Sequence, residues 1–476
     1  MPPALLHSAL DNIWSVLLIV LFFGGSIFVH ELGHFLAARA RGVHVEIFSI
    51  GFGPPIFSWT AKSGTRYMVA WIPLGGYVLL PQIADLGPAE GESKLSAADL
   101  PPISYSTKMI VLVAGAAFNI AFAFAMACIV WRTGILEAND ANSTQVGYVA
   151  RTLETPDGGH VPSPALEAGI KVGDIVKAVD GRQIEDWAAL NETLVMGSGR
   201  DAKGGRTAIF TIERDGRTLQ LTVHPLLSGD DKVRRVGIRQ GYELNVQSVE
   251  AGKAFDKAGL KSGDRILTLN GEPIMDGSGL EDELAVDPSK AARLGISRAG
   301  KAVQLTVPPR TASLGIGNVI FAEGYHMAHP SPFEQIGQPF VLVLRTVWAL
   351  VNPRSDIGLS KVSGPVGIVH IFHAAAEIGF LAVVRFAIFI NVNLAVLNLL
   401  PIPVFDGGQM VFATIGRLRR RALPQRFVVA THSVFVVLIL SVVLYISFFD
   451  VRRWSRDADE ARRAAAAAAA AAPAKP

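Results

Sequence analysis

Two histidines one helical turn apart, with a glutamate between them, are the residues of this chain best suited to chemistry. The motif HELGH occupies residues 30–34, directly after an apolar run over residues 13–29. On a helix this spacing puts both imidazoles on one face, about 6 Å apart at Cβ, which suits two ligands of one tetrahedral zinc. Glu31 can then act as general base. Titratable groups in apolar surroundings are costly unless they bind something, so the pattern favours a metal site over a polar helix end.

A catalytic zinc usually has three protein ligands, so one more residue is needed. Position favours Asp406, which follows two helix-stopping prolines, Pro401 and Pro403. The glycines after it allow close backbone approach. A carboxylate on an irregular segment at membrane depth is expected only where it lines a cavity or binds a partner. Four other candidates stay open: Glu46, His370, His373 and His432.

Composition places the chain in a membrane. Half of its 476 residues are hydrophobic and 18% are charged, which is too apolar for a soluble enzyme. The net charge of +3 is small and argues against a nucleic-acid partner. The single cysteine, Cys128, excludes disulfides and a cysteine-rich zinc site. Since residues 1–38 contain no Lys or Arg, we interpret the first apolar run as a retained helix and not as a signal peptide.

The expected fold is a polytopic α-helical membrane protein. Four segments are long enough to cross a bilayer of about 30 Å, and they lie at residues 13–38, 109–131, roughly 383–400 and 427–449. A shorter apolar stretch, 333–351, is predicted to be an interfacial helix. The membrane domain then has an N-terminal half over 10–138, with a strand-rich loop at 45–82, and a C-terminal half over 331–450. Within that loop, residues 65–80 are predicted to form a hairpin or strand pair.

Basic residues set the expected orientation by the positive-inside tendency. The connection after the first span carries Arg39, Arg41, Lys62 and Arg66, and the connection after the third carries five arginines between residues 417 and 426. Both are therefore predicted to be cytoplasmic, with the HELGH site toward the cytoplasm. The arginines at 452, 453 and 456 disagree weakly. The stretch between the second and third spans becomes an extracytoplasmic insert.

The insert contains an internal repeat with an offset of 90 residues. Ala168-Gly169 recurs as Ala258-Gly259, and Gly173-Asp174 as Gly263-Asp264. Because a solenoid needs three or more units, two copies predict two small β-rich domains, over 144–232 and 233–325. Each copy resembles a PDZ domain, whose exposed strand edge accepts an extended peptide, so peptide tails are the expected ligands. The tail over 451–476 is of low complexity and is assigned no function.

Several motifs together make the chain resemble the site-2 protease family, in its bacterial regulator-of-sigma-E protease form. The matching segments, which with the insert cover nearly all of residues 10–450, are HELGH at 30–34, FSIGFG at 48–53, IPLGGYV at 72–78, Asn119, SGPVGI at 363–368 and NLLPIPVFDGG at 398–408. Two departures concern substrate handling: the family commonly has Gly-Pro at Gly115-Ala116, and Lys often stands at the position of Leu79.

The resemblance implies roles for particular residues. It implies one zinc per chain on His30, His34 and Asp406, Glu31 as base, and active-site support from Asn398. We assign substrate binding to Asn398 and, in the strand-rich loop and the second span, to Gly75, Gly76, Tyr77 and Asn119. On sequence alone, Asn119 and Asn398 are equally suited to hold helices together.

The predicted function is an intramembrane zinc endopeptidase that cuts single-span membrane proteins within the lipid bilayer of the bacterial inner membrane. The resemblance suggests an anti-sigma factor or signal-peptide remnants as substrates. A catalytically idle membrane scaffold bearing PDZ domains is the alternative, but such a scaffold has no need of Glu31. A transporter with a metal site is disfavoured, because the four spans show no repeat.

Overall fold

The computed structural model describes residues 14, 17–83, 100–229, 231–310, 319–321, 324–421 and 423–471. Parts of the predicted domains lie outside these residues: the start of the first span, pieces of the second repeat and the end of the tail. The chain divides into two compact units. We call them the membrane unit (Met1–Ile135, His329–Arg345 and Leu359–Pro476) and the insert unit (Leu136–Ala328 and Thr346–Gly358).

The elements up to the second span are a π-helical turn Val20–Gly24, α1 Gly25–Ala40, β1 Ile47–Thr60, β2 Arg66–Leu79 and α2 Tyr105–Thr133. The next elements are β3 Ile135–Ala138, β4 Val146–Val149, β5 Thr152–Glu154, β6 His160–Pro162, α3 Pro164–Glu167, β7 Ile175–Val179, β8 Arg182–Gln183, α4 Trp187–Val195, β9 Ala208–Arg214, β10 Arg217–Val223, β11 Leu226–Ser228 and β12 Val233–Arg235.

They are followed by β13 Ile238–Gln240, β14 Leu244–Val249, α5 Ala254–Lys257, β15 Arg265–Leu269, β16 Glu272–Pro273, α6 Gly277–Val286, β17 Ala292–Arg298, β18 Lys301–Val307, β19 Val319–Phe321 and β20 Tyr325–Ala328. The last elements are α7 Pro332–Val351, a 3-10 turn Leu359–Lys361, α8 Pro365–Ile378, α9 Phe380–Asn398, α10 Asp406–Leu418 and α11 Gln425–Ala471.

Four helical segments are long and apolar enough to cross a membrane: Leu17–Ala40, Tyr105–Thr133, Phe380–Asn398 and Gln425–Arg456. They are the four segments expected from hydropathy, with ends that differ by a few residues. The difference at α2 has a local cause, because the Ser104 side chain accepts a hydrogen bond from the Thr107 backbone and caps the helix before its apolar run begins. Two shorter helices, α8 and α10, were not expected from the sequence.

Helices α1, α2 and α9 form the buried centre of the membrane unit. A Cβ at Gly33 of α1 would lie 2.5 Å from the Ala114 carbonyl oxygen of α2, so only glycine permits this close approach. Helix α9 is tied to α1 by Asn391, whose Nδ2 donates to Ser26 Oγ at 2.8 Å. An amide bonded across an interface between apolar helices is a typical contact in membrane proteins.

Strands β1 and β2 pair with bulges: residues 55–60 lie opposite 66–70, and residues 47–50 lie opposite both 66–69 and 76–79. The strand-rich loop expected at 45–82 is therefore present. The sequence suggested that residues 65–80 form a hairpin or strand pair by themselves, but they do not. They supply a single long strand, because the preceding segment with the FSIGFG motif is itself extended and takes the place of the partner.

Helix α11 is fastened near the end of its candidate span by a buried carboxylate. Asp450 accepts hydrogen bonds from the backbone N–H groups of Gly364 and Gly367, both at 2.9 Å, and Arg453 donates to it at 2.6 Å. These N–H groups belong to the first turn of α8, where no intrahelical partner is available. The SGPVGI motif is thus the N-terminus of α8, capped by a residue of α11.

In the insert unit the two repeats have the same order of elements. The first copy runs α3-β7-β8-α4-β9-β10 and the second α5-β15-β16-α6-β17-β18. The first copy builds a sheet in the order β10-β9-β7-β8, and the second the order β18-β17-β15-β14-β19, with β16 beside β15. Asp186 and Asp276, 90 residues apart in the sequence, cap α4 and α6.

The repeated Gly-Asp pair has a structural role in each copy. Asp174 pairs with Arg214 at 2.6 Å, and Asp264 pairs with Arg298 at 2.7 Å. Each aspartate is 1% exposed and also accepts from a backbone N–H three residues before it. The pair locks the turn before β7 or β15 to the end of the neighbouring strand, which explains why the motif recurs.

A further carboxylate, whose side chain is 10% exposed, joins distant parts of the insert unit. Asp356 is held by three arginines, Arg200 at 3.0 Å, Arg206 at 3.1 Å and Arg234 at 2.7 Å. Burial alone would raise the pKa of Asp356, but hydrogen bonds from the three guanidinium groups outweigh it and hold the pKa well below its usual value. Segment 346–358 is thereby fixed to the first repeat.

Candidate metal centre and active site

Three side chains converge between the helices of the membrane unit. His30 Nε2 lies 3.2 Å and His34 Nε2 3.3 Å from Asp406 Oδ2. The two Nε2 atoms are 3.1 Å apart. Among the described residues this is the only group of three or more His, Cys, Asp or Glu side chains close enough to hold a metal ion.

The donor set fits a zinc ion. Ligand atoms at about 2.0–2.1 Å from a tetrahedral zinc lie about 3.3 Å from one another, close to the separations of this triangle. Asp406 Oδ2 is buried and has no hydrogen-bond partner among the described residues. A carboxylate oxygen facing two imidazole nitrogens is repulsive when all three present lone pairs, and a cation between them removes the repulsion. Two His and one Asp are ligands that zinc accepts.

Helix α2 packs against both imidazoles and holds them in place. The Val111 carbonyl oxygen accepts a hydrogen bond from His34 Nδ1 at 2.8 Å, which leaves Nε2 free for a metal. A Cβ at Gly115 would lie 2.5 Å from His34 Nε2 and 2.6 Å from His30 Cε1. Any side chain at residue 115 would therefore fill the space that the two imidazoles occupy.

Asp406 reaches the site from the opposite side. Helix α9 ends at Asn398, and after a short turn α10 begins at Asp406 itself. The sequence suggested an irregular segment here, but only residues 399–405 are irregular, because Phe405 stands as the N-cap of a new helix. Gly407 and Gly408 lie against the backbone carbonyls of Leu399, Leu400 and Ile402, where a Cβ could not fit.

Glu31 lies between the metal group and strand β2. It lines the same cavity as the three converging residues, and so does Val78 of β2. A Cβ at Gly76 would lie 3.5 Å from Glu31 Cγ and 2.7 Å from the Ser49 carbonyl oxygen. The glycine pair of the IPLGGYV motif thus lets β2 pass between β1 and the glutamate.

The cavity has a volume of about 280 Å³, and both polar and apolar side chains line it. It is lined by Ile27, His30, Glu31, His34, Tyr77, Val78, Leu80, Ile83, Val111, Leu112, Asn119, Leu394, Asn398, Val404, Phe405, Asp406 and Gln409. Of the predicted substrate-binding residues, Tyr77, Asn119 and Asn398 line it. Gly75 and Gly76 are buried in β2 beside it.

The other candidate third ligands lie elsewhere. His373 is 3.5 Å from Glu377 on α8, and His370 packs against the Trp454 ring. None of the four residues His370, His373, Glu46 and His432 belongs to the three-residue group.

Sequence reasoning missed two contributors. The role of the Val111 carbonyl cannot be recognised from the pattern of side chains, because the carbonyl is a backbone group. Gln409, three residues after Asp406, could have been found from helical spacing, had α10 been expected.

Comparison with known proteins places this geometry in a family. The sequence matches the model of peptidase family M50 over residues 18–442. It is 32% identical over 466 residues to the regulator of sigma-E protease RseP of Salmonella typhimurium, which covers 92% of this chain and 99% of the relative. The Escherichia coli RseP is 30% identical over 470 residues with the same coverage. A Vibrio cholerae protein named "putative zinc metalloprotease" is 29% identical over 471 residues, or 93% and 99% of the two chains.

The chain belongs to peptidase family M50, the site-2 proteases, and is a zinc metalloprotease. It is similar to the regulator-of-sigma-E proteases along nearly its whole length. The resemblance seen in the motifs is thereby confirmed. Together with the four candidate spans, these relatives indicate a protein of the bacterial inner membrane.

Proposed function

We propose that the protein is an intramembrane endopeptidase that cuts single-span membrane proteins, with one zinc held by His30, His34 and Asp406. The convergence of the two Nε2 atoms of a candidate membrane helix with Asp406 Oδ2, beside Glu31, carries this proposal. The enzyme is favoured over an idle scaffold, because both the metal group and an acid beside it are intact.

Each residue has a task in hydrolysis. His30, His34 and Asp406 would hold a zinc, which would lower the pKa of a bound water and polarise the scissile carbonyl. Glu31 accepts the proton of the attacking water and later passes it to the leaving amine. Asn398, whose Nδ2 lies 3.4 Å from His30 Nε2, donates a hydrogen bond to the carbonyl oxygen as negative charge develops there.

Strand β2 presents the substrate. A transmembrane helix hides its peptide groups in its own hydrogen bonds and must unwind before attack. Residues Gly76 to Leu79 pair with β1 along one edge, and Tyr77 and Val78 line the cavity. An unwound substrate adds to this strand through backbone hydrogen bonds, which requires no particular side-chain sequence. Because Gly75 and Gly76 have no side chains, the substrate can approach this strand closely.

The sidedness of the protein follows from its basic residues. The arginines between residues 417 and 426 support a cytoplasmic position for the loop containing α10, and with it for the metal group. The insert unit then lies outside the cytoplasm. The names of the relatives refer to sigma-E regulation, which makes a membrane-bound anti-sigma factor the first substrate to test, followed by signal-peptide remnants.

The insert unit restricts which substrates enter. Its two repeats act as PDZ-like domains, which either exclude bulky outer domains or bind the new end of a trimmed substrate. Deleting residues 144–325 should preserve zinc and the hydrolysis of a trimmed substrate, while cleavage of an untrimmed substrate increases. Gel-based cleavage of a matched trimmed and untrimmed pair measures this. A folded, zinc-loaded deletion variant that cleaves neither would show that the insert is needed for catalysis itself.

The test of the catalytic assignment is Glu31→Gln. The variant should keep its zinc, since the ligands are intact, and lose about 100-fold or more in cleavage rate, the loss typical of a removed general base. Glu46→Gln is the matched control, because Glu46 lies outside the cavity lining. Metal analysis and cleavage of a single-span reporter are measured on the same preparations. Normal turnover by Glu31→Gln would refute the mechanism.

A further inference from the structure

The two imidazoles of the metal group need a hydrogen-bond acceptor behind them. A histidine that binds a metal through Nε2 carries its proton on Nδ1, and that N–H almost always has an acceptor, which fixes the ring and its tautomer. His34 has such an acceptor in the Val111 carbonyl oxygen, 2.8 Å from Nδ1. His30 needs an equivalent acceptor for its own Nδ1–H group.

The amide of Asn119 faces His30 at the corresponding place. Asn119 is fully buried, and its Nδ2 lies 3.3 Å from His30 Nδ1, while its Oδ1 has no hydrogen-bond partner among the described residues. With the proton on His30 Nδ1, two N–H groups would oppose each other. Half a turn of the amide about χ2 exchanges two atoms of nearly equal size and puts Oδ1 against the Nδ1–H. That turn removes the opposed donors and gives the unpartnered oxygen a donor.

The register of α1 and α2 supports a dedicated role. Val111, Gly115 and Asn119 are spaced by four residues and share one face of α2. Along that face the carbonyl of Val111 serves His34, Gly115 leaves room for both rings, and Asn119 reaches His30. The four-residue spacing of the histidines on α1 is thus matched by one acceptor each on α2.

We propose that Asn119 is the positioning residue of His30, accepting its Nδ1–H through Oδ1 and so presenting Nε2 to the metal. This assignment replaces the substrate-binding role expected from the sequence, and it rests on the proposed zinc site. Asn119 acts through His30 and need not touch the substrate.

The molecule supplies a matched control for the simpler idea that Asn119 only holds helices together. Asn391 is equally buried in a candidate span, and its Oδ1 also has no partner among the described residues. Its Nδ2 donates to Ser26 Oγ and to the Ala387 carbonyl oxygen, both at 2.8 Å, so neither of these hydrogen bonds involves a histidine. A variant at 391 therefore removes an interhelical amide without touching the metal group.

The experiment compares zinc binding by the full-length protein and its variants Asn119→Leu, Asn119→Asp and Asn391→Leu, using competition with a chelator. Leucine keeps the volume and removes the acceptor, so Asn119→Leu should bind zinc about 10–100-fold more weakly. Asn119→Asp restores an acceptor and should bind zinc at least as well as the unsubstituted protein. Asn391→Leu should leave zinc affinity unchanged. With cobalt in place of zinc, the visible absorption bands should shift in Asn119→Leu alone.

Other results would overturn the proposal. Unchanged zinc affinity in Asn119→Leu, with only a raised KM, would make Asn119 a substrate-binding residue. Equal loss of zinc in all three variants would make it a packing residue. A wild-type protein that binds no zinc would refute the metal site itself, an outcome distinct from both, because it precedes any comparison of variants.

Discussion

The paired carboxylates of the insert unit and Asp406 of the membrane unit have different kinds of partner. In the insert unit, Asp174 and Asp264 each form an ion pair with one arginine, and Asp356 forms ion pairs with three. In the membrane unit, the ion-pair partners of Asp406 among the described residues are two imidazoles, and its Oδ2 has no hydrogen-bond donor. An arginine always carries a positive charge, whereas a neutral imidazole does not neutralise a carboxylate, so the charge of Asp406 marks the place where a cation can bind.

This difference separates structural carboxylates from a functional one. Asp450 shows that the rule does not depend on the unit, because this aspartate of the membrane unit has Arg453 and two backbone donors and fastens a helix end. The expected consequence is a division of effects. Removing Asp406 should cost function and little stability, whereas removing a paired aspartate should cost stability and leave zinc binding intact.

The largest effect is expected for Asp406→Ala. Loss of one of three ligands should weaken zinc binding by about 100-fold or more, since even the loss of an outer partner typically costs 10–100-fold. His432→Ala, on a candidate span but outside the group, is the control and should keep its zinc. Metal analysis of the purified proteins provides the measurement. Zinc retained in Asp406→Ala and lost in His432→Ala would reverse the ligand assignment.

A smaller effect is expected for Asp174→Asn. It leaves Arg214 without its partner and should lower the local opening free energy around β7 and β9 by about 3 kcal/mol, the order found when one partner of a buried pair is removed. Lys177→Met is the control, because its pair with Glu213 is largely exposed and should contribute at most about 1 kcal/mol. Hydrogen exchange of the full chain reports both. A loss of zinc in Asp174→Asn would contradict the proposed division.

The smallest effect concerns the pH dependence of Asp356. Because its folded pKa lies below the unfolded value of about 3.9, the stabilisation is present above that value and is lost as the pH falls toward the folded pKa. Segment 352–358 should therefore lose hydrogen-exchange protection below about pH 4, after correction for the intrinsic rate. Asp356→Asn should already lack this protection at pH 7 and vary little with pH. Equal pH profiles for both proteins would argue against the three-arginine cluster as the anchor.

Local patterns predicted the parts of the molecule that depend on local geometry. The spacing of His30 and His34 predicted one helix face, and the 90-residue offset predicted two similar folds. What the sequence did not provide were contacts set by packing. Asp356 meets arginines more than 120 residues away, and nothing in its own segment indicates them. Asn119 was placed in the site, but the contact of its amide with His30 could not be predicted, because it depends on the register between α1 and α2.

The Val111 carbonyl has a consequence for mutational scanning. It supplies His34 with a backbone acceptor, which no substitution at residue 111 deletes. The equivalent acceptor for His30 is a side chain at residue 119, which every substitution alters. In a saturation scan, substitutions at residue 119 would therefore report loss of the acceptor, whereas substitutions at residue 111, which is fully buried, would report packing alone. Sensitivity to substitution at a position is thus no measure of how much its backbone contributes to the metal centre.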